Sequence, residues 1–158
     1  MTSSTASDLY FVQEPVGEMA NLAYLIGSHA TREALLVDPA WDVESLLARA
    51  ERDGIRVVGA LATHYHQDHI GGSIFGMSIE GLARLMELSP MPVHVHAREA
   101  DGVRRVTGLS ASDLVAHEGG DEITLGGLRI RLLHTPGHTP GSQCFLIEEA
   151  KQPPRLVS

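Results

Sequence analysis

The chain runs from a continuous apolar segment, Val57 to Ala62, directly into a cluster of three histidines and one aspartate. An unbroken apolar run of this length is typical of a strand that is covered on both faces. His64 and His66 follow it in an extended segment, where alternate side chains point the same way, so two imidazoles can share one ion. Asp68 and His69, just past the bend, add a carboxylate oxygen and another nitrogen. The sequence therefore predicts a metal site at the end of a buried strand.

The composition of the chain argues against coincidence as the origin of this cluster. With nine histidines among 158 residues, three histidines and an aspartate at these spacings arise by chance in about 1 or 2 of 1,000 such chains. Imidazole and carboxylate donors suit zinc, iron or manganese. The single cysteine, Cys144, is far away in sequence, so a structural cysteine–zinc site is not indicated.

A second motif, residues 135–141, holds one further histidine between prolines and glycines and reads TPGHTPG. The two prolines restrict the backbone, while the two glycines allow torsion angles that other residues avoid. His138 is therefore held on a tight loop after a strand. Alone this segment would be an ordinary turn, but together with the first cluster it predicts the third imidazole of a three-histidine site.

Short apolar segments separated by glycine and proline predict a series of strands with two helices. Residues 41–53 have apolar side chains at helical spacing, with Asp42 as a cap and Gly54 as a stop, and residues 78–88 show the same spacing. The predicted strands cover residues 9–12, 20–26, 34–37, 57–62, 93–96, 114–117, 122–125 and 128–133. Strands interrupted by helices imply helices layered on a sheet, which is an α/β or α+β fold.

Length and composition favour one soluble globular domain over residues 9–158. The net charge of −8 argues against nucleic acid as a partner. No apolar run reaches the ~20 residues of a membrane span. The polar residues 1–8 are expected to be disordered and carry no secretory signal. Together with the lone Cys144, this predicts a cytoplasmic protein.

Both motifs resemble signatures of one protein family. The segment 64–69 (HYHQDH) matches the HxHxDH signature of the metallo-β-lactamase superfamily, and Thr63 with Gly71-Gly72 extends it to THxHxDHxGG. The segment 135–139 resembles the TPGHT loop of the glyoxalase II (hydroxyacylglutathione hydrolase) and persulfide dioxygenase branches. Residues 36–39 (LVDP) resemble the strand end beneath the metal loop in those proteins. The likeness runs from about residue 10 to the end of the chain.

The resemblance implies a role for each matching residue. The ligands of a first metal ion would be His64, His66 and His138. The ligands of a second ion would be Asp68 and His69. Asp38 would orient a ligating imidazole, a role that such sites commonly need. One or two Zn²⁺ ions are expected, with Fe²⁺ or Mn²⁺ as alternatives.

The resemblance also implies a four-layer αββα sandwich, of which this chain would supply the first half and the start of the second. In the family a Gly-Asp segment follows one strand after the TPGHT loop; its Asp bridges both ions, and a further His completes the second site. The sequence ends at Ser158, where that segment would come next, so we expect the domain to be incomplete at its C-terminus. A sheet edge and an apolar face would then be uncovered, which favours aggregation or association into a homo-oligomer.

Three functions follow from this likeness. The leading hypothesis is a metal-dependent hydrolase of glyoxalase II type, which would attack a small thioester or ester, such as a glutathione conjugate, with a metal-activated water. Asp68 is the predicted catalytic residue, because its carboxylate would orient the attacking water. One alternative is an Fe(II)-dependent persulfide (sulfur) dioxygenase, in which the residues matching Asp68 and His69 do not bind metal. The other is a non-catalytic, truncated fragment that only binds metal.

Three histidines outside the two motifs are expected to have no part in the metal site. His94 and His96 alternate on a predicted strand, but no carboxylate or third imidazole has a spacing that joins them. We therefore expect them to be exposed on the strand face. His134 lies four residues before His138 and is expected to pack within its strand.

Overall fold

The structure, a computed structural model, describes residues 6–158. Its strands are β1 (Leu9–Val16), β2 (Asn21–Ser28), β3 (Glu33–Val37), β4 (Arg56–Leu61), β5 (Gly72–Ile74), β6 (Met77–Ile79), β7 (Val93–His96), β8 (Leu114–His117), β9 (Glu122–Leu125), β10 (Leu128–His134), β11 (Gln143–Glu148) and β12 (Arg155–Val157). Its helices are α1 (Val43–Arg52), α2 (Gln67–Ile70), α3 (Leu82–Leu88) and α4 (Ala100–Thr107). The predicted disorder of residues 1–8 falls mainly on residues 1–5, which lie outside the described range, and stays a prediction.

Two sheets and one hairpin account for the strands. The first sheet has the order β1-β2-β3-β4-β7-β8, antiparallel from β1 to β3 and parallel from β3 to β8. The second sheet has the order β12-β11-β10-β9 and is antiparallel throughout. Helices α1, α3 and α4 lie in the crossovers between the parallel strands, as parallel pairing requires. The carboxyl ends of β3, β4 and β7 therefore meet at one edge of the first sheet, where ligands bind in open α/β sheets.

The first sheet is covered on both faces, as the apolar runs predict. Neighbouring residues on β2 point in opposite directions, so Leu25 packs toward the helices and Ile26 toward the second sheet. The apolar layer between the two sheets contains Ile26, Leu35, Val37, Leu61, Leu128, Ile130, Leu132, Phe145 and Ile147. The described residues thus form three layers, helix on sheet on sheet. These are the layers expected of the first half of an αββα sandwich and the start of its second half.

Helix α1 begins and ends at the predicted signals. The side chain of Asp42 accepts hydrogen bonds from the backbone nitrogen and the hydroxyl of Ser45, at 3.1 and 2.7 Å. Such a cap satisfies a backbone donor that has no partner within the helix. Gly54, at φ 71°, follows the last turn in the left-handed conformation that glycine adopts without strain.

The segment after the histidine cluster differs from its prediction. A helix was expected over residues 78–88, but residues 77–79 pair with residues 72–74 as a hairpin, and the helix begins only at Leu82. The two turn residues, Phe75 and Gly76, have φ values of 50° and 74°. Such turns normally carry Asn-Gly or Asp-Gly, so a Phe-Gly pair gives little sequence signal for a hairpin. None of the helices in residues 6–158 is long and apolar enough to span a membrane.

The layer between the sheets gives a stability prediction. Leu132 is 0% exposed in this layer, whereas Leu156 on β12 is 63% exposed. We expect Leu132→Ala to lower the free energy of unfolding by about 2–5 kcal/mol, because it removes buried methyl groups and leaves a cavity. Leu156→Ala, the matched control, is expected to change it by less than about 0.5 kcal/mol. Urea unfolding followed by circular dichroism measures both, and equal effects would contradict the described packing.

Candidate metal centre

Three imidazoles from two loops converge at the edge where the parallel strands end. His64 and His66 lie between β4 and α2, and His138 lies on the loop between β10 and β11. One ring nitrogen of each lies within 4.8 Å of the others. The ring centroids are 4.6 to 4.8 Å apart, and the rings are inclined to one another by 72° to 83°. Rings arranged in this way can direct three lone pairs at one point.

A chain of hydrogen bonds determines which nitrogen of His64 carries its proton. The hydroxyl of Thr63 donates to the carboxylate of Asp38 at 2.6 Å, and the hydroxyl oxygen of Thr63 lies 2.8 Å from Nδ1 of His64. Because a hydroxyl has a single proton, this oxygen must accept from Nδ1–H of His64. Nε2 of His64 is then left with a lone pair.

That nitrogen provides a direct test of whether an ion fits. Nε2 of His64 is buried, and among the described residues it has no hydrogen-bond partner. An unpaired polar atom in such a position is costly and rare in folded proteins. The ring of His64 lies beside those of His66 and His138, with one nitrogen of each within 4.8 Å of the others, and three nitrogen donors suit Zn²⁺. The donor set therefore fits a metal ion.

The pKa values of His64 and His66 favour the neutral form of the ring, which is the form that binds metal. Burial lowers the pKa of His64 to about 4, with the neighbouring histidines adding to the effect. Burial also lowers the pKa of His66, and the charge of a protonated His138 would lower it further. Both rings are therefore neutral at physiological pH, as a metal ligand must be.

Asp38 connects the first sheet to this centre. It follows β3 directly and is almost fully buried, with a φ of 49° that a residue with a side chain rarely adopts. Its carboxylate accepts from the backbone nitrogen of Thr63 at 2.8 Å and from Nδ1 of His69 at 3.0 Å, besides the Thr63 hydroxyl. Asp38 thus orients His69 directly and His64 through Thr63.

Asp68 and His69, the residues expected to hold a second ion, lie beside the three imidazoles. Asp68 Oδ2 and His69 Nε2 are 3.5 Å apart. The side-chain amide nitrogen of Asn21 lies 2.9 Å from the first atom and 3.3 Å from the second. His69 also groups with Asp38 and His64 as a possible set of donors, whereas Asp68 belongs to neither three-donor group among residues 6–158. The assignment of both residues to a second ion stays a prediction.

The charges of these two groups are set by their neighbours. For Asp68, burial raises the pKa, but the hydrogen bond from Asn21 and the nearby histidines outweigh it, so the net pKa is lowered. For His69, burial lowers the pKa, but the hydrogen bond to Asp38 and the charges of Asp38 and Asp68 outweigh it, so the net pKa is raised. Asp68 is therefore an ionised acceptor at neutral pH.

Two residues of the centre were missed in the sequence. Asn21 lies in a segment interpreted only as a strand, although it is a polar residue at the start of an apolar run. Glu99 is 1% exposed and accepts hydrogen bonds from both of the loops that carry the three histidines. Its one signal is its place just after β7, at the same edge as the ends of β3 and β4.

The prediction that His94 and His96 are exposed is wrong. His96 is 1% exposed and stacks on His134 with ring centroids 4.0 Å apart. His94 is partly buried, and its Nδ1 lies 2.8 Å from Nε2 of His117. His117 on β8 lies beside His94, and His134 at the end of β10 in the second sheet stacks on His96; no short-range pattern reveals either contact. His134 does pack against a neighbour, as expected, and hydrogen bonds to the carbonyl of Pro140 at 2.9 Å.

Comparison with known proteins agrees with this geometry. Residues 16–151 match the family model of the metallo-beta-lactamase superfamily. The chain belongs to this superfamily of metal-dependent hydrolases. A metallo-beta-lactamase from Staphylococcus aureus superposes with a TM-score of 0.73 at 25% identity, over 95% of this chain and 42% of that one. The predicted fold class is therefore confirmed.

Two relatives belong to the branches named by the motifs. Cytoplasmic hydroxyacylglutathione hydrolase of Arabidopsis thaliana is 33% identical over 80% of this chain and 43% of its own length. Mitochondrial persulfide dioxygenase ETHE1 of Homo sapiens is 31% identical over 86% of this chain and 46% of its own length. The chain spans about half the length of curated relatives that it matches.

The burial of His94 gives a pH prediction. Burial first, and then the charge of His117, lowers the pKa of His94 from 6.5 to about 4. Below pH 6.5 the unfolded chain binds this proton and the folded chain does not, so the free energy of unfolding falls between pH 6.5 and about pH 4. We expect the loss to be smaller in His94→Gln, which cannot titrate. Urea unfolding of both proteins in EDTA across this range measures the difference, and identical pH profiles would contradict it.

Proposed function

We propose that this protein is a metal-dependent hydrolase of glyoxalase II type that cleaves a small thioester or ester. The observation that carries the proposal is the buried, unpaired Nε2 of His64, on a ring that groups with those of His66 and His138 as a set of three donors. A glutathione conjugate is the favoured substrate class, since the Arabidopsis relative is a hydroxyacylglutathione hydrolase. A first Zn²⁺ would be held by His64, His66 and His138.

Zn²⁺ at this centre would supply Lewis acidity, which polarises a substrate carbonyl and lowers the pKa of a water to about 7. Thr63 and Asp38 keep His64 in the tautomer that offers Nε2. Asp68 is the proposed catalytic residue: its ionised carboxylate, held by Asn21, accepts a hydrogen bond from the attacking water and orients it toward the substrate. These residues act from fixed positions, which lowers the entropic part of the barrier.

Asp68 and His69 are also the proposed ligands of a second ion. This part of the proposal is supported by the 3.5 Å approach of their ligand atoms, Oδ2 and Nε2. The side-chain amide of Asn21 is hydrogen-bonded to both of these atoms, so its hydrogen bonds must break when a second ion binds. The number of ions, one or two, and the choice of Zn²⁺ over Fe²⁺ or Mn²⁺ are decided by metal analysis of the purified protein.

His66→Ala tests the function directly. The variant loses one of three nitrogen donors. Loss of a residue that only supports a ligand weakens metal binding roughly 10- to 100-fold, so we expect a larger loss of zinc affinity here. Hydrolysis of an S-acylglutathione is expected to be abolished. Zinc titration against a chromophoric chelator and release of free thiol are the measurements. His29→Ala, at an exposed histidine beyond β2, is the matched control and is expected to behave as wild type. Retained zinc and turnover in His66→Ala would refute the assignment.

Persulfide dioxygenase activity is the second candidate, favoured by the similarity to human ETHE1. It would require Fe²⁺ rather than Zn²⁺. Iron in the purified protein, with oxygen consumption on addition of glutathione persulfide, would support this candidate. Zinc in the protein and turnover of an S-acylglutathione without oxygen would support the hydrolase.

A metal-binding chain without catalysis is the third candidate, because the chain spans about half the length of the relatives. Bound metal without turnover in either assay would support it. Self-association, measured by analytical ultracentrifugation, tests the proposed homo-oligomer. The cytoplasmic location stays a prediction from the sequence.

A further inference from the structure

We infer that Glu99 is a positioning residue that holds the two ligand loops together and so determines how tightly the centre binds its ion. This inference rests on the proposed function, because it concerns the same three histidines. Glu99 lies just before α4, on neither ligand loop, and is 1% exposed. A carboxylate is rarely buried to this extent unless several donors surround it.

The donors to Glu99 come from both loops. Its Oε1 accepts from the backbone nitrogen of Tyr65 at 3.1 Å, and Tyr65 lies between His64 and His66. The same oxygen accepts from the hydroxyl of Thr139, the residue after His138. Its Oε2 accepts from the backbone nitrogen of Gly141 at 3.0 Å. One carboxylate therefore joins the backbone of the first loop to that of the second.

The close approach of Glu99 depends on a glycine in the second loop. A β-carbon at Gly141 would lie 2.8 Å from both Cγ and the backbone nitrogen of Glu99, a distance that real structures do not show. The glycine at this position thus admits the carboxylate against the loop backbone. Packing against Glu99 therefore explains why the second glycine of TPGHTPG, Gly141, is required, in addition to any demand of the turn.

The geometry of this junction explains why it affects the ion rather than the core alone. Three histidines can share an ion only if the loops that carry them keep a fixed separation, and the donors to Glu99 are the neighbours of those histidines. Gln143 adds a separate link, donating from its backbone nitrogen to the carbonyl of Thr63 at 3.0 Å. That link lies at the start of β11, whereas Glu99 joins the first loop to the tip of the loop that carries His138.

Glu99→Gln is the decisive variant. An amide has one acceptor oxygen, so either the Tyr65 and Thr139 donors or the Gly141 nitrogen must face an NH₂ group. We expect the dissociation constant for Zn²⁺ to rise about 10- to 100-fold, as is typical when a residue that supports metal ligands is lost. The visible spectrum of the Co²⁺-loaded protein is expected to shift, because the ligand geometry relaxes.

Two further variants make the test specific. Asp101→Asn removes a carboxylate from the first turn of the same helix, where the side chain is 99% exposed, and is expected to bind Zn²⁺ as wild type does. Thr139→Val removes one donor to Glu99 with little change in shape and is expected to weaken Zn²⁺ binding less than Glu99→Gln. It serves as the test if Glu99→Gln does not fold, as judged by circular dichroism.

The outcomes separate the two hypotheses. Suppose that the wild-type protein binds Zn²⁺, and that a folded Glu99→Gln binds it equally well with an unchanged Co²⁺ spectrum. This result would overturn the positioning role and leave the proposed function intact. If Glu99→Gln is unfolded, wild-type affinity in Thr139→Val would overturn the role. Equal weakening in Asp101→Asn would also overturn it, because the effect would then be one of charge. Wild-type protein that binds no metal would overturn both.

Discussion

The rest of the centre depends on the hydrogen bonds that the buried carboxylate of Asp38 accepts. Carboxylate oxygens that are shielded from water must find hydrogen-bond donors, and here the donors are Thr63 and His69. The loop after β4 is therefore hydrogen-bonded to the residue that follows β3, and the Thr63 hydroxyl in turn orients the ring of His64. The positive φ of Asp38 is a local strain of about 1–3 kcal/mol that such hydrogen bonds offset.

Three side chains of the centre are fixed by groups outside the predicted set of ligands. Asp38 and Thr63 orient His64, Asp38 orients His69, and Asn21 holds Asp68. These supporting groups lie on β2 (Asn21), directly after β3 (Asp38) and two residues after β4 (Thr63), so the first sheet sets their positions. This explains how a loop, which is usually a mobile part of a fold, can hold the imidazole of His64 in one orientation.

The sequence predicted the parts of the site that depend on short-range spacing. The convergence of His64, His66 and His138 was predictable because alternation in an extended segment, the Pro-Gly turn and the family signatures are properties of short segments. Asn21 and Glu99 could not be predicted, since their roles arise from contacts with Asp68 and Gly141, about 40 or more residues away in the chain. The burial of His96 was missed for the same reason, and the hairpin at Phe75 because its turn residues are atypical.

The two loops that carry the histidines belong to different sheets, the first to β4 and the second to the β10–β11 connection. An ion shared by His64 and His138, as proposed, would therefore act as a cross-link between positions far apart in the sequence. Closing so long a loop removes much of the freedom of the unfolded chain, and this loss grows with the logarithm of loop length. Through this loop-closure entropy, the metal would contribute to holding the two sheets together as well as to the chemistry at their edge.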